Sequence, residues 1–163
     1  MIAVVVRVGR WLVGAAWAVA LAIGVAGPLL LRAAWEGRAE LLAADEAAAA
    51  GRVDLEIVHL GRAARWRVPI AGHDEAAIAR LLAIGAATEG REASWQTALA
   101  AYREARAALL VTRVGAVGDG EALGLANRRI AALMAAQEAA FGTDLSGRGA
   151  AEAYHLALLE RAG

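Results

Sequence analysis

The sequence predicts an all-α protein, with one N-terminal transmembrane helix followed by about five to six helices. Three observations carry this. Alanine, the best helix former, dominates the composition, while only two prolines, Pro28 and Pro69, interrupt it. Apolar residues beyond the opening segment recur at helical rather than alternating spacing. Finally, Trp11 to Leu31 runs without a single charge, long enough to cross a bilayer core of roughly 30 Å.

The opening stretch, RWLVGAAWAVALAIGVAGPLLLRAAWEGR, is bracketed by Arg10 and Arg32, with Trp11 and Trp35 near its ends. Amphipathic indole rings favour the headgroup region, so these four residues mark the two membrane interfaces. Pro28 falls near the distal end, where a loosened last turn is tolerated. A cleaved signal would use the small residues of GVAG before Pro28, but the apolar run continues through Leu29, Leu30 and Leu31. An uncleaved anchor is therefore favoured over a signal or a buried core helix. No later stretch reaches spanning length; AALLVTRVG is broken by Arg113. Arg7, Arg10 and the terminal amine on one flank slightly favour that end in the cytoplasm, with the domain periplasmic or otherwise outside.

Gly14, Ala18, Ala22 and Ala26 recur every four residues, as do Ala16, Ala20 and Gly24. Such spacing lets helix backbones approach closely. An alanine-rich segment also produces these runs by chance, and both readings stand.

The helical domain is expected over 36–163, after an anchor over 1–35. Its first helix, RAELLAADEAAAA, stops at Gly51. In the second, Val53, Ile57, Leu60 and Ala64 fall on one face, and VPIAGHD ends it, with Asp74 suited to capping the next helix. The third places Ile78, Leu81, Leu82 and Gly85 together and ends at Gly90. The fourth carries Trp95, Ala98, Leu99, Tyr102, Ala105 and Leu109 on one face up to about Arg113. After VGAVGDG, a fifth helix over about 121–141 aligns Leu123, Ala126, Ile130, Leu133 and Phe141. A sixth, over about 149–161, contributes Tyr154 and Leu158 and either docks or frays.

Two consecutive helix–glycine–helix units, about 37–67 and 74–113, form an internal repeat. Ala44, Gly51, Leu60, Ala63 and Pro69 in the first unit, and Gly90, Ala98, Tyr102 and Ala105 in the second, resemble the tetratricopeptide repeat family. Glu56 occupies a position that is normally small in that family, and the second unit has about three extra residues after Gly90. The layout is also similar to single-pass TPR-like proteins of GC-rich bacteria. The resemblance implies antiparallel hairpins and a role in protein–protein interaction.

Chemistry is sparse in the sequence. There are no cysteines, which excludes disulfides, thiolate metal sites and cysteine nucleophiles. All 17 basic residues are arginine, a bias that reads as mutational. Three of them precede the domain, leaving 14 against 17 acids, a net −3 that disfavours nucleic acid as a partner. Glu56 and His59 stand at i, i+3 and could share a metal, but a surface pair is the commoner outcome. His73, before Asp74 and Glu75, suits a helix start. Ser94 and Ser146 lack the strand–turn–helix setting of a nucleophile, and GAVGDG lacks the strand and lysine of a phosphate loop. No cofactor, metal or small-molecule substrate is implied.

The densest polar feature is GRAARWR, with Arg62, Arg65 and Arg67 around Trp66. These residues could contact anionic headgroups, pair with acids such as Glu40 or Asp45 of neighbouring helices, or bind an acidic peptide. The expectation is a membrane-anchored scaffold or accessory subunit of a larger membrane complex, binding protein partners. The alternative is a self-associating structural protein.

Overall fold

The computed structural model describes residues 2–68, 71–90, 94–112, 119–140 and 148–162; within its helices, the side chains of 2–15, 18, 22, 112, 119 and 148 fall outside the description. Six helices follow in order: α1 Ile2–Ala49, α2 Val53–Arg65, α3 His73–Thr88, α4 Trp95–Thr112, α5 Asp119–Ala140 and α6 Arg148–Arg161. No strand occurs among the described residues. Pro69, Arg113, Phe141 and Ser146 lie outside them.

The largest departure from expectation is at the start of the chain. A membrane segment and a separate first hairpin helix are expected, but α1 is one uninterrupted helix of 48 residues. It passes through Pro28 and Gly37 without ending. Proline removes one backbone donor, yet the residues on both sides are alanine- and leucine-rich and carry the helix across. Gly37 is no break either; it faces the buried ring of His73.

At the far end of α1 the chain reverses at Gly51, whose φ of 67° is the left-handed conformation glycine adopts readily. The amides of Gly51 and Arg52 bond back to the carbonyls of Ala48 and Ala47, closing the turn. Further along, His59 of α2 meets Glu40 of α1, so α2 runs back beside α1. The face expected of α2 is largely the buried one: Ile57, Leu60 and Ala64 are inside, while Val53 is exposed.

Helix α3 begins after Gly72, in the left-handed conformation at φ 62°, with no side-chain cap. Asp74 is thus not the cap the spacing suggests. It sits in the first turn, buried, with its carboxylate 3.8 Å from Arg67.

Helices α3 and α4 pack on α2, and α5 on α4. The core has two parts. One joins Ala44, Ile57, Leu60, Ala63, Ala64, Ala77 and Leu81 to Ala101, Ala105 and Ala108 of α4. The other gathers Ala98, Leu99 and Tyr102 with Ile130 and Leu133 of α5. Alanine supplies most of the first, which brings its helix backbones close, whereas the second rests mainly on the larger side chains of Leu99, Tyr102, Ile130 and Leu133.

Helix α6 docks on α5 rather than fraying, but one residue away from the expected register. His155 is buried against Glu138 at 2.8 Å, and Leu159 joins the second core cluster. Tyr154 and Leu158, the residues expected to contribute, are exposed. Arg106 of α4 locks the arrangement, donating to Asn127 Oδ1 at 2.8 Å and to the Leu159 carbonyl at 2.7 Å. Among the described residues no buried side-chain nitrogen or oxygen lacks a hydrogen-bond partner.

Candidate functional site

Two features stand out as surfaces rather than core: the apolar length of α1, and the arginine-rich end of α2. Among the described residues α1 is the one helix long and apolar enough to cross a membrane, and its apolar window is not buried against the rest of the molecule. Trp17, Val19, Leu21, Ile23, Val25, Leu29, Leu30 and Leu31 are all exposed. A soluble core helix would bury such residues; this one leaves them uncovered by the rest of the molecule.

Of the small residues expected to pack the membrane helix, Ala16, Ala20, Gly24 and Ala26 are exposed on α1, and a β-carbon at Gly24 would meet nothing within 4 Å. The surroundings of Gly14, Ala18 and Ala22 on α1, and the side chains of Arg10 and Trp11, fall outside the description. At the other expected interface Arg32 is exposed and pairs loosely with Glu36, one turn on, at 3.7 Å. Trp35 is 78% exposed, the most open of the large apolar side chains described.

The second surface is built where α2 returns toward the apolar part of α1. Each arginine of GRAARWR faces a carboxylate. Arg62 lies 3.8 Å from Glu40, Arg65 donates to Glu104 Oε2 at 2.6 Å, and Arg67 is 3.8 Å from Asp74. Glu104 reaches Arg65 across the α2–α4 contact because Gly61 leaves the space open; a β-carbon there would collide with its carboxylate. From the sequence, Glu40 and Asp45 are the acids expected for this cluster; Glu40 is there, Asp45 pairs instead with Arg80, and Glu104 and Asp74 are not among the expected partners. Trp66 caps the helix and remains half-exposed.

His73 ties this end to α1. Its Nε2 contacts the Trp66 carbonyl, and its ring lies over Gly37.

No protein-family model, curated protein or solved structure matches this chain. The geometry alone therefore carries the functional reading.

The possible Glu56–His59 metal pair is separated by its partners. His59 Nδ1 lies 2.6 Å from Glu40, whereas Glu56 is buried and accepts from Arg80 Nη2 at 2.6 Å. Arg80 also binds Asp45, so one α3 side chain joins α1 and α2. Burial opposes the charge of Arg80, but the hydrogen bonds and fields of Asp45 and Glu56 outweigh it and raise its pKa. Glu56 thus serves as an internal counter-ion to Arg80. No signal short of the fold itself would have paired it with Arg80, 24 residues away.

The remaining polar cluster joins α3, α4 and α5. The Tyr102 hydroxyl donates to Glu89 Oε2 at 3.0 Å, and Arg129 approaches Glu89 Oε1 at 3.3 Å. Burial, with the hydrogen bond to Glu89 second, pushes the Tyr102 phenol up to about 12. A fully protonated phenol of this kind holds a helix end in place.

Proposed function

We propose that this chain is a single-pass membrane-anchored scaffold, an accessory subunit of a larger membrane assembly. The observation that carries the reading is the continuity of α1. An apolar, uncovered stretch long enough to span a bilayer leads without a linker into a helical domain. The domain end of α1 is Leu41, Ala44 and Ala47, which pack inward, so anchor and domain share one rigid element.

The helical domain is read as a short array of tetratricopeptide-like hairpins, α1–α2 followed by α3–α4, with α5 and α6 closing its end. Complete burial of Ala44, Ala63, Ala98 and Ala105 supports this, since helix pairs of that type need small residues at their crossings. Such pairs present surfaces suited to partner segments. The domain lies outside the cytoplasm in this reading, from the arginine flanks of the span.

Purification of the intact tagged protein from native membranes in mild detergent, with native sizing and mass spectrometry, tests the proposal. Stoichiometric foreign subunits support it. The chain alone, as one sharp oligomer, establishes the self-associating alternative. Recovery in the alkaline-washed soluble fraction would overturn the anchor and the scaffold together.

A further inference from the structure

We infer that the α2–α3 end of the helical domain rests on the membrane surface, with Trp66 seated among the lipid headgroups at nearly the height of Trp35. This deepens the anchored reading and rests on it. The partner named is the lipid surface itself, not a protein.

The argument is one of height along α1. The uncharged stretch ends at Leu31. At about 1.5 Å per residue, Trp35 lies about 6 Å beyond that point and Gly37 about 9 Å beyond it. The headgroup region on each side of a bilayer is roughly 5–8 Å deep. Trp35 therefore stands inside it and Gly37 just beyond its outer edge, within the reach of an indole side chain.

Trp66 belongs to a different helix, but its height is set by α1. The Trp66 carbonyl contacts His73 Nε2, and that same imidazole is pressed against Gly37. The backbone of Trp66 is thus held level with Gly37, and its indole is half-exposed. Helix α2 runs back beside α1, so its last turn lies toward the span. An amphipathic indole at this height has the chemistry of an interfacial anchor.

The neighbouring arginines take a different role. Arg62, Arg65 and Arg67 are already opposite Glu40, Glu104 and Asp74, so much of their charge is balanced within the domain. The ring rather than the cations makes the contact.

Tryptophan quenching tests this on the full chain in phosphatidylcholine–phosphatidylglycerol vesicles that include a lipid with a nitroxide on its headgroup. The chain has five tryptophans, and the comparison is with the Trp66→Phe variant, checked for unchanged helical content. If Trp66 sits among headgroups, its removal lowers the quenchable fraction of the emission, as removal of Trp35 by Trp35→Phe also does. If Trp66 stands in water, its removal leaves a larger quenchable fraction, and the inference is overturned. Absence of quenching in the unmodified chain would instead remove the anchor itself.

Should Trp66→Phe not fold, a nitroxide on Ala71→Cys reads the same end of the domain with Trp66 in place. It is expected to be shielded from a water-soluble relaxation agent relative to the same label at Gly90→Cys, at the far end of α3. Equal accessibility would overturn the inference.

Discussion

Gly37 and Gly85 occupy positions where a neighbouring ring fills the space of a β-carbon. At Gly85 that carbon would stand 2.7 Å from the ring of Tyr102, which is fully buried and cannot swing aside. Helix propensity favours alanine over glycine by about 1 kcal/mol, but overpacking of this kind costs about 1–3 kcal/mol. Gly85→Ala is therefore expected to lower the stability of the domain in urea melts. Gly120→Ala, with nothing within 4 Å, is expected to leave it unchanged or raise it.

Tyr102 adds a pH signature. Its folded pKa of about 12 lies above the ordinary value of 10.0, so the folded state keeps its proton where the unfolded chain has lost it. The stability associated with the protonated phenol is complete below pH 10 and is lost as the pH rises toward 12. Urea midpoints measured across that window should fall more steeply for the unmodified chain than for Tyr102→Phe. Equal slopes would show that the phenol is not held in its neutral form.

Between elements, Arg80 is the side chain whose loss reaches furthest. It joins α3 to Asp45 of α1 and to the buried Glu56 of α2. Arg80→Met leaves Glu56 inside without its donor, a change expected to cost about 1–3 kcal/mol by chemical denaturation. Adding Glu56→Leu removes the orphaned carboxylate and should restore part of the loss. Two changes that add independently would argue against the pair as a unit.

Helix faces such as Ile57–Leu60–Ala64 and Ala98–Tyr102–Ala105 are local patterns, and period 3.6 exposes them directly. Arg80 with Glu56, and Arg65 with Glu104, are choices among many acids and arginines of equal sequence standing, decided only when α3 and α4 come to rest. The α6 register was missed because His155, polar by type, is the residue buried, while the apolar Tyr154 beside it faces solvent. The expected boundary between an anchor over 1–35 and a separate first hairpin helix fails for a related reason, since α1 runs straight through Gly37. Glycine usually signals a break, and here it makes room for a ring from another helix.

At the scale of the whole molecule, the uninterrupted α1 behaves as a drive shaft rather than a tether. A flexible tether would leave the domain free to choose its bearing; in the proposed anchored arrangement, a continuous helix transmits angular phase from the span to the domain. Each residue inserted between Ala33 and Ala34 would turn the domain by about 100° and lift it by about 1.5 Å. Two inserted alanines would turn it by about 200°, nearly reversing the face offered to any subunit that also grips the span. Seven would bring the bearing back to within about 20°, but about 10 Å higher. If partners read both parts of the chain, native sizing should show the assembly lost with two and regained with seven. Loss with both would indicate that height matters as well as bearing, and retention with both would mean that the partner grips only one end of the shaft.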